Sequence, residues 1–363
     1  MENRRKFIKK SGLFLAASTL PLTAFSIPTQ KKKLGVALVG LGYYSTDLLS
    51  PALQLTKNCE LKAIVTGSPD KVPVWKEKYG LKDSNIYNYG NMHEIANNDE
   101  IDVVYIVLPN TLHKKYTLIA ANAGKHVWCE KPMATTVADC QIMIDVCKKN
   151  KVQLTIGYRM QHEPVTQKII KWAADKPYGN VKSIYAETGF HNGANDPSHW
   201  KIGKEYGGGA MFDMGVYALN ASRYVTGLEP ISVSATQSNT RSHIFDADET
   251  TLFNLEFPGG ITAECKATFA ENIGTLNTKC EKGWYELKPF QSYTGVKGTT
   301  SDGEILNPFI GNQQAKQMDE DALAILNGDH NNILVPGEEG MLDIKVVEAI
   351  QKSAANNGDR VVI

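Results

Sequence analysis

Between residues 34 and 156 the chain repeats one pattern, a short continuously apolar run of strand length followed by ten to twenty residues with helical spacing of apolar positions. Strands that are apolar on both faces cannot sit in a half-solvated sheet, and parallel neighbours need a crossover between them. The pattern therefore predicts a parallel sheet covered by helices on both sides. Its strands are expected at 34–39, 61–65, 103–108, 126–129 and 152–156, with a short one near Ile86. Past Gly157 the period changes to alternation at 181–190, 231–239, 251–257 and 261–269, which predicts a large open, mostly antiparallel sheet. Phe257-Pro258-Gly259-Gly260-Ile261 reads as the turn between two of its strands. Helices are expected at 166–174 and 212–225, loops and short strands at 283–308, and two closing helices at 313–326 and 337–355.

With 42% apolar and 21% charged side chains over 363 residues, the composition is that of a globular protein long enough for two domains. The 39 basic and 39 acidic residues balance, which leaves no electrostatic footprint for nucleic acid. The balance hides an uneven distribution. Residues 1–26 hold five basic groups and one acid, so the rest carries 34 basic against 38 acidic side chains. Arg4 and Arg5 precede an apolar stretch from Leu13 to Phe25 that is too short to span a bilayer. Ala24 and Ser26 stand at the minus-three and minus-one positions of a cleavage site near Ile27. The segment 1–26 is expected to be a twin-arginine signal peptide, and the mature protein periplasmic and without a membrane anchor. Of the six cysteines none lies in a Cys-x-x-Cys or zinc-finger spacing, so buried thiols are expected and no metal site.

The first strand runs into Gly40-Leu41-Gly42-Tyr43-Tyr44-Ser45, a Gly-x-Gly-x-x-Ser turn that opens a helix. The first glycine permits the tight turn, and the second lets a pyrophosphate approach the helix N-terminus. At this place in an alternating α/β run, the turn predicts a Rossmann dinucleotide-binding domain over 33–157. An acidic residue after the second strand would bind the ribose 2'-hydroxyl of NAD. Here Thr66 follows the strand and Lys71 lies within reach, a hydroxyl and a cation suited to a 2'-phosphate, so NADP is expected over NAD.

Glu130-Lys131-Pro132 ends the strand 126–129, on the edge where open parallel sheets bind ligands. A lysine among apolar walls there is expected to have a lowered pKa and to donate to a substrate oxygen. Gly207-Gly208-Gly209 precedes a helix on which Asp213 and Tyr217, at i and i+4, share a face. Taken singly, Tyr217 could be a core phenol, Asp213 a helix-start residue, and His113 an ordinary satisfied histidine.

These motifs, with Leu108-Pro109-Asn110-Thr111-Leu112-His113, Ile156-Gly157-Tyr158-Arg159 and Pro336-Gly337-Glu338-Glu339-Gly340-Met341, resemble the glucose-fructose oxidoreductase branch of the Gfo/Idh/MocA family. The resemblance runs from about Lys33 to the C-terminus. It implies a C-terminal α/β domain over 158–363 for substrate binding and oligomerisation, with the last helices packing back on the first domain, and a homodimer or homotetramer. It implies cofactor contacts at Gly40, Leu41, Gly42, Tyr43, Tyr44, Thr66, Lys71, Pro109, Asn110, His113, Glu130 and Lys131. Lys131 would stand beside the nicotinamide, Asp213 would position the sugar, Tyr217 would accept the proton, and Arg159 would touch the sugar.

The reaction implied is hydride transfer between C1 of a cyclic aldose and tightly bound NADP, with a second sugar able to restore the cofactor. Two other readings are a glycosidase of the same superfamily that uses NAD transiently, and a sugar-responsive binding protein on a dehydrogenase fold. The chain departs from the branch in its short basic stretch before Leu34 and in 191–200, so the identity of the sugar does not transfer. His191 and His199 in that stretch, and Asp213, are alternative proton acceptors.

Overall fold

The computed structural model describes residues 33–193, 199–328 and 333–363. The leader expected at 1–26 lies outside the described residues, as do 194–198 of the stretch expected to border the sugar.

Six strands, β1 (Leu34–Val39), β2 (Cys59–Val65), β3 (Ile86–Tyr87), β4 (Val103–Ile106), β5 (His126–Cys129) and β6 (Leu154–Ile156), form a parallel sheet ordered β3-β2-β1-β4-β5-β6. Every residue of β1 is buried, the burial on both faces that its unbroken apolar run requires. The crossovers carry α1 (44–53, opening as a π-helical turn), α2 (Val72–Tyr79), α3 (His113–Asn122) and α4 (Val137–Lys149). Chain order reverses between β1 and β4, and a crevice at their carboxyl ends is where such sheets bind ligands.

Two strands are shorter than the apolar runs suggest. Pro109 and the turn after it take 107–108 out of β4. Lys151 adopts a left-handed φ of 57° and Val152 N–H closes back onto Cys147 O, so β6 starts two residues late.

After α5 (Pro164–Asp175) the chain builds β7 (Val181–Gly189), α6 (Val216–Thr226), β8 (Ser232–Ser238), β9 (Thr250–Glu256), β10 (Thr262–Thr268), β11 (Ile273–Cys280), β12 (Trp284–Leu287), β13 (Gly298–Thr300) and β14 (Ile305–Leu306). With β15 (Val361–Val362) they order as β14-β13-β12-β11-β7-β10-β9-β8-β15, antiparallel throughout except for the β7–β10 pair. One face is covered by α6 and α8 (Gly337–Ala355), while Tyr185, Leu252 and Trp284 are exposed. β11 has no counterpart in the sequence reading. Thr278 takes an inward position beside Leu276, and Thr275 is buried on the opposite face, so the strand lacks a clear apolar alternation.

The helix expected at 212–225 is two pieces, a π-helical turn at Met211–Gly215 and then α6. α7 (Gln313–Leu326) crosses back to the first sheet, where Ala315, Met318 and Ala322 pack with Leu38, Leu53 and Trp75. The Asp319 carboxylate there accepts from the backbone N–H groups of Lys57 and Asn58 at 2.8 Å. All six cysteines are free thiols. Five are buried, and Cys280 is half-buried.

Candidate active site

The site is assembled at the carboxyl edge of the parallel sheet. Gly40 follows β1 with φ +90°, and a Cβ there would lie 2.3 Å from Val107 O, so only glycine fits. Ser45 Oγ donates to Gly40 O at 2.6 Å, which ties the head of α1 to the turn and explains the small hydroxyl at that position. Among the described residues nothing lies within 4 Å of a Cβ placed on Gly42. The turn therefore leaves an open backbone cradle at the head of the helix, as a pyrophosphate requires. Leu41 is buried beneath it and Tyr43 is exposed.

Thr66 and Lys71 converge on this cradle from the end of β2. The Thr66 hydroxyl accepts from Ser68 N–H at 3.0 Å and turns the loop back, and Lys71 Nζ donates to Leu41 O at 2.7 Å. From the end of β4, Pro109 caps a short turn and Asn110 Nδ2 donates to Gly207 O at 2.7 Å, joining the nucleotide edge to the glycine run. His113 differs from its expected role. It is fully buried, with Nδ1 on Pro132 O and Nε2 on Leu108 O, both at 2.9 Å. It braces two strand-end loops from behind and presents no ring atom to a cofactor.

Lys131 Nζ donates to the backbone carbonyl of Asp213 at 2.7 Å and to Oδ1 at 3.3 Å, and stands 4.5 Å from the centroid of the Tyr217 ring. Lys201 holds the other carboxylate oxygen at 2.8 Å. Burial opposes the Asp213 charge, but the two lysines outweigh it and pull the carboxyl down to about 2. Lys131 is shifted opposite to expectation. Burial works against its charge, yet Tyr217, Asp213, Tyr293 and Glu130 surround the ammonium and hold it above the ordinary lysine range. It is a fixed cation and not a base.

Glu130 aims its carboxyl behind the strand, where Oε1 accepts from Tyr105 OH at 2.6 Å, and burial pushes it up to about 7. Arg159, expected to touch sugar, is buried and committed to the protein. It donates to Gln291 O at 2.7 Å, to Ser292 O at 2.9 Å and to Gln313 Oε1, with its guanidinium 4.7 Å from the Tyr293 ring. Its work is to fasten the loop after β12 beside the pocket, because few of its donors remain for a ligand. The Tyr293 ring in turn lies 5.9 Å from that of Tyr44. Tyr44 thus reaches the reacting centre as well as the cradle.

Sequence reasoning missed Lys201 and Tyr293. Lys201 sits in an irregular segment beside Trp200, and Tyr293 in a Gly-, Ser- and Thr-rich loop, so neither had a periodic or motif signal. His191 and His199 are exposed, with His199 Nδ1 accepting from Lys201 N–H at 3.3 Å and His191 Nδ1 3.2 Å from Ala270 O.

The glycine cradle, the strand order and a lysine at the end of β5 together define a dinucleotide-dependent oxidoreductase. The family described as an oxidoreductase family with an NAD-binding Rossmann fold matches residues 34–158, and the GFO/IDH/MocA C-terminal domain matches 166–286. The aldose-aldose oxidoreductase of Caulobacter crescentus, solved with glycerol, is 38% identical, with a TM-score of 0.86 over 91% of this chain and 100% of its own. The D-xylose 1-dehydrogenase [NADP(+)] of Haloarcula marismortui is 29% identical over 88% of this chain and 90% of its own. The scyllo-inositol dehydrogenase of Lactobacillus casei, 20% identical with a TM-score of 0.72 over 91% of this chain and 98% of its own, shares the fold. The chain belongs to the Gfo/Idh/MocA family of oxidoreductases.

Proposed function

We propose that this protein is an NADP-dependent sugar oxidoreductase that moves hydride between C1 of a cyclic aldose and the cofactor. The observation that carries the reading is the clamp of Lys131 on Asp213 under the Tyr217 ring, directly after Glu130 at the sheet edge where the nucleotide cradle opens. The relatives named for D-xylose with NADP and for aldose-aldose transfer support the substrate class and the cofactor. The position of Thr66 and Lys71 beside the cradle supports contact with a 2'-phosphate, and the open turn Gly40-Leu41-Gly42 supports contact with the pyrophosphate.

When bound, NADP supplies the hydride acceptor. Tyr217 takes the proton from the sugar hydroxyl, and the Lys131 charge steadies the oxygen as it loses that proton. Asp213, fixed by Lys131 and Lys201, orients the neighbouring hydroxyl as an acceptor. Arg159 holds the Tyr293 loop over the sugar. Reduction of a second sugar runs the same steps in reverse.

The enzyme is exported through the twin-arginine route with its nucleotide bound, and it pairs through the open sheet face that carries Tyr185, Leu252 and Trp284. Mass identification of any nucleotide in the purified protein, with a screen of sugars for growth of nicotinamide absorbance, tests the activity. No response to any aldose would end this reading. Replacing Arg4 and Arg5 by lysine is expected to keep the precursor inside, and unchanged periplasmic yield would remove the routing.

A further inference from the structure

The buried face of α7 carries a polar row beside the apolar one of Ala315, Met318 and Ala322, where a packed helix is ordinarily apolar. Gln314, Gln317 and Asp321 recur there at intervals of three and four residues and are 2%, 1% and 3% exposed. Buried amide and carboxyl groups cost free energy unless they are bonded. At this seam Gln314 Nε2, Gln317 Oε1, Asp321 Oδ2 and His162 Nε2 are buried atoms with no hydrogen-bond partner among the described residues. Such a row of donors and acceptors is how buried water is held in folded proteins.

Both ends of the seam lead somewhere. At the inner end Tyr105 OH accepts from Gln317 Nε2 at 3.3 Å and donates to Glu130 Oε1 at 2.6 Å. Glu130 precedes Lys131, and the charged and titratable groups around it are Tyr105, Lys131, Arg159 and Tyr44. At the outer end His162 Nε2 lies 3.8 Å from Asp321 Oδ1, and Nδ1 lies 2.8 Å from Glu320 Oε2. Glu320 is 43% exposed, and with Lys316 and Gln167 it borders a cavity of about 300 Å³. Burial pushes Glu130 up to about 7 and Asp321 up to about 6, so both can hold or release a proton near neutrality.

We propose that this seam is a proton exit, in which Glu130, Tyr105, water held by Gln317 and Asp321, then His162 and Glu320 carry the proton of sugar oxidation to solvent. The inference rests on the oxidoreductase reading above. In each oxidation the C1–H electron pair leaves as hydride to the cofactor, C1=O forms, and the hydroxyl proton goes to the Tyr217 oxygen. Where no second sugar takes it back with the hydride, that proton must leave before the next oxidation. It passes to Glu130 by way of water beside Tyr44, which lies close to both Tyr217 and Glu130. Tyr105 then accepts it while releasing its own hydrogen outward, so no further reactant is consumed. The Gln317 amide fixes the water and itself transfers nothing.

The test uses purified protein with bound NADP⁺, mixed with D-xylose or D-glucose in weak buffer containing an indicator dye, so that hydride transfer and proton release are read in one turnover. In the wild type the two signals are expected to coincide. In Asp321→Asn and Gln317→Leu, hydride transfer is expected to stay within about twofold of wild type while proton release lags by about tenfold or more, and added imidazole is expected to restore it. Release that keeps pace in both variants, or a lag that imidazole leaves unchanged, overturns the proposal. If the inner variants do not fold, Glu320→Gln at the rim must show a lag in the same direction, and its absence is equally decisive. A wild type whose nucleotide no sugar reduces fails earlier, and removes the oxidoreductase reading together with this one.

Discussion

Lys131 meets Asp213 twice, at the backbone carbonyl and at the carboxylate, although 82 positions separate them in the chain. The backbone contact fixes where the π-helical turn Met211–Gly215 begins, and the carboxylate contact fixes how Asp213 faces the pocket. One residue therefore sets both the position and the orientation of its partner. π-turns of this kind concentrate at functional sites because they displace a side chain that a regular helix would place elsewhere.

Tyr217→Phe keeps the ring over Lys131 and removes the hydroxyl. Fold and nucleotide binding are expected to survive while turnover falls by about 10² to 10⁴-fold. Lys131→Met is expected to slow hydride transfer as well, and the double variant to be little worse than the poorer single one if the pair acts as a unit. Single-turnover reduction of bound NADP⁺ in all four proteins measures this. Near-normal rates in Tyr217→Phe would reject its role.

Lys71 is anchored to Leu41 O at 2.7 Å, beside the cradle, so a 2'-phosphate needs only a short movement of its ammonium. Lys71→Ala is expected to cost roughly 1.5 to 3 kcal/mol in NADP binding, about ten- to a hundred-fold in affinity, and to leave NAD binding nearly unchanged. Titration of both nucleotides decides it. Equal losses would show that Lys71 does not read the phosphate.

Glu130 keeps its proton in the folded protein up to about pH 7, whereas the unfolded side chain loses it near 4.5. Across that interval the folded state binds the extra proton, so its stability falls as pH rises, by at most about 1.4 kcal/mol per pH unit. Glu130→Gln mimics the protonated acid and still accepts from Tyr105. The melting temperature of the variant is therefore expected to gain on wild type between pH 4.5 and 8, with the gap constant outside that window. A gap independent of pH throughout would refute the burial argument.

Gly209 combines φ +111° with a position whose Cβ would lie 2.0 Å from Asp248 Oδ1. The same Asp248 carboxylate accepts from Met211 N–H at 2.8 Å and holds the turn that carries Asp213. Gly209→Ala is expected to cost roughly 2 to 4 kcal/mol of stability and to raise KM for sugar in whatever protein folds. Denaturant unfolding with a sugar titration measures both, and a wild-type midpoint would show that the strand can yield.

The parts of the fold visible in the sequence are those where one physical demand acts alone. Burial on both faces made β1 and β4 continuous apolar runs, and the glycine turn after Val39 marked the cradle. Lys131, Asp213 and Tyr217 were visible because each stands beside a punctuation mark, Pro132 or the glycine run. Arg159 was visible as a residue but not as a role, since its bonds to Gln291 and Ser292 are long-range and depend on where a loop falls. His113 was misread for the same reason, because two backbone carbonyls claim its ring. β11 stayed hidden because buried threonines satisfy a sheet without advertising it in hydropathy.

The bond from Asn110 to the Gly207 carbonyl has a consequence for how such proteins diverge. It couples the loop after β4 to the segment leading into the Asp213 turn, so nucleotide half and sugar half inherit a shared seam. An insertion that lengthened either side alone would tilt the hydride donor against its recipient. Recombination between relatives should therefore succeed only when both loops come from one parent.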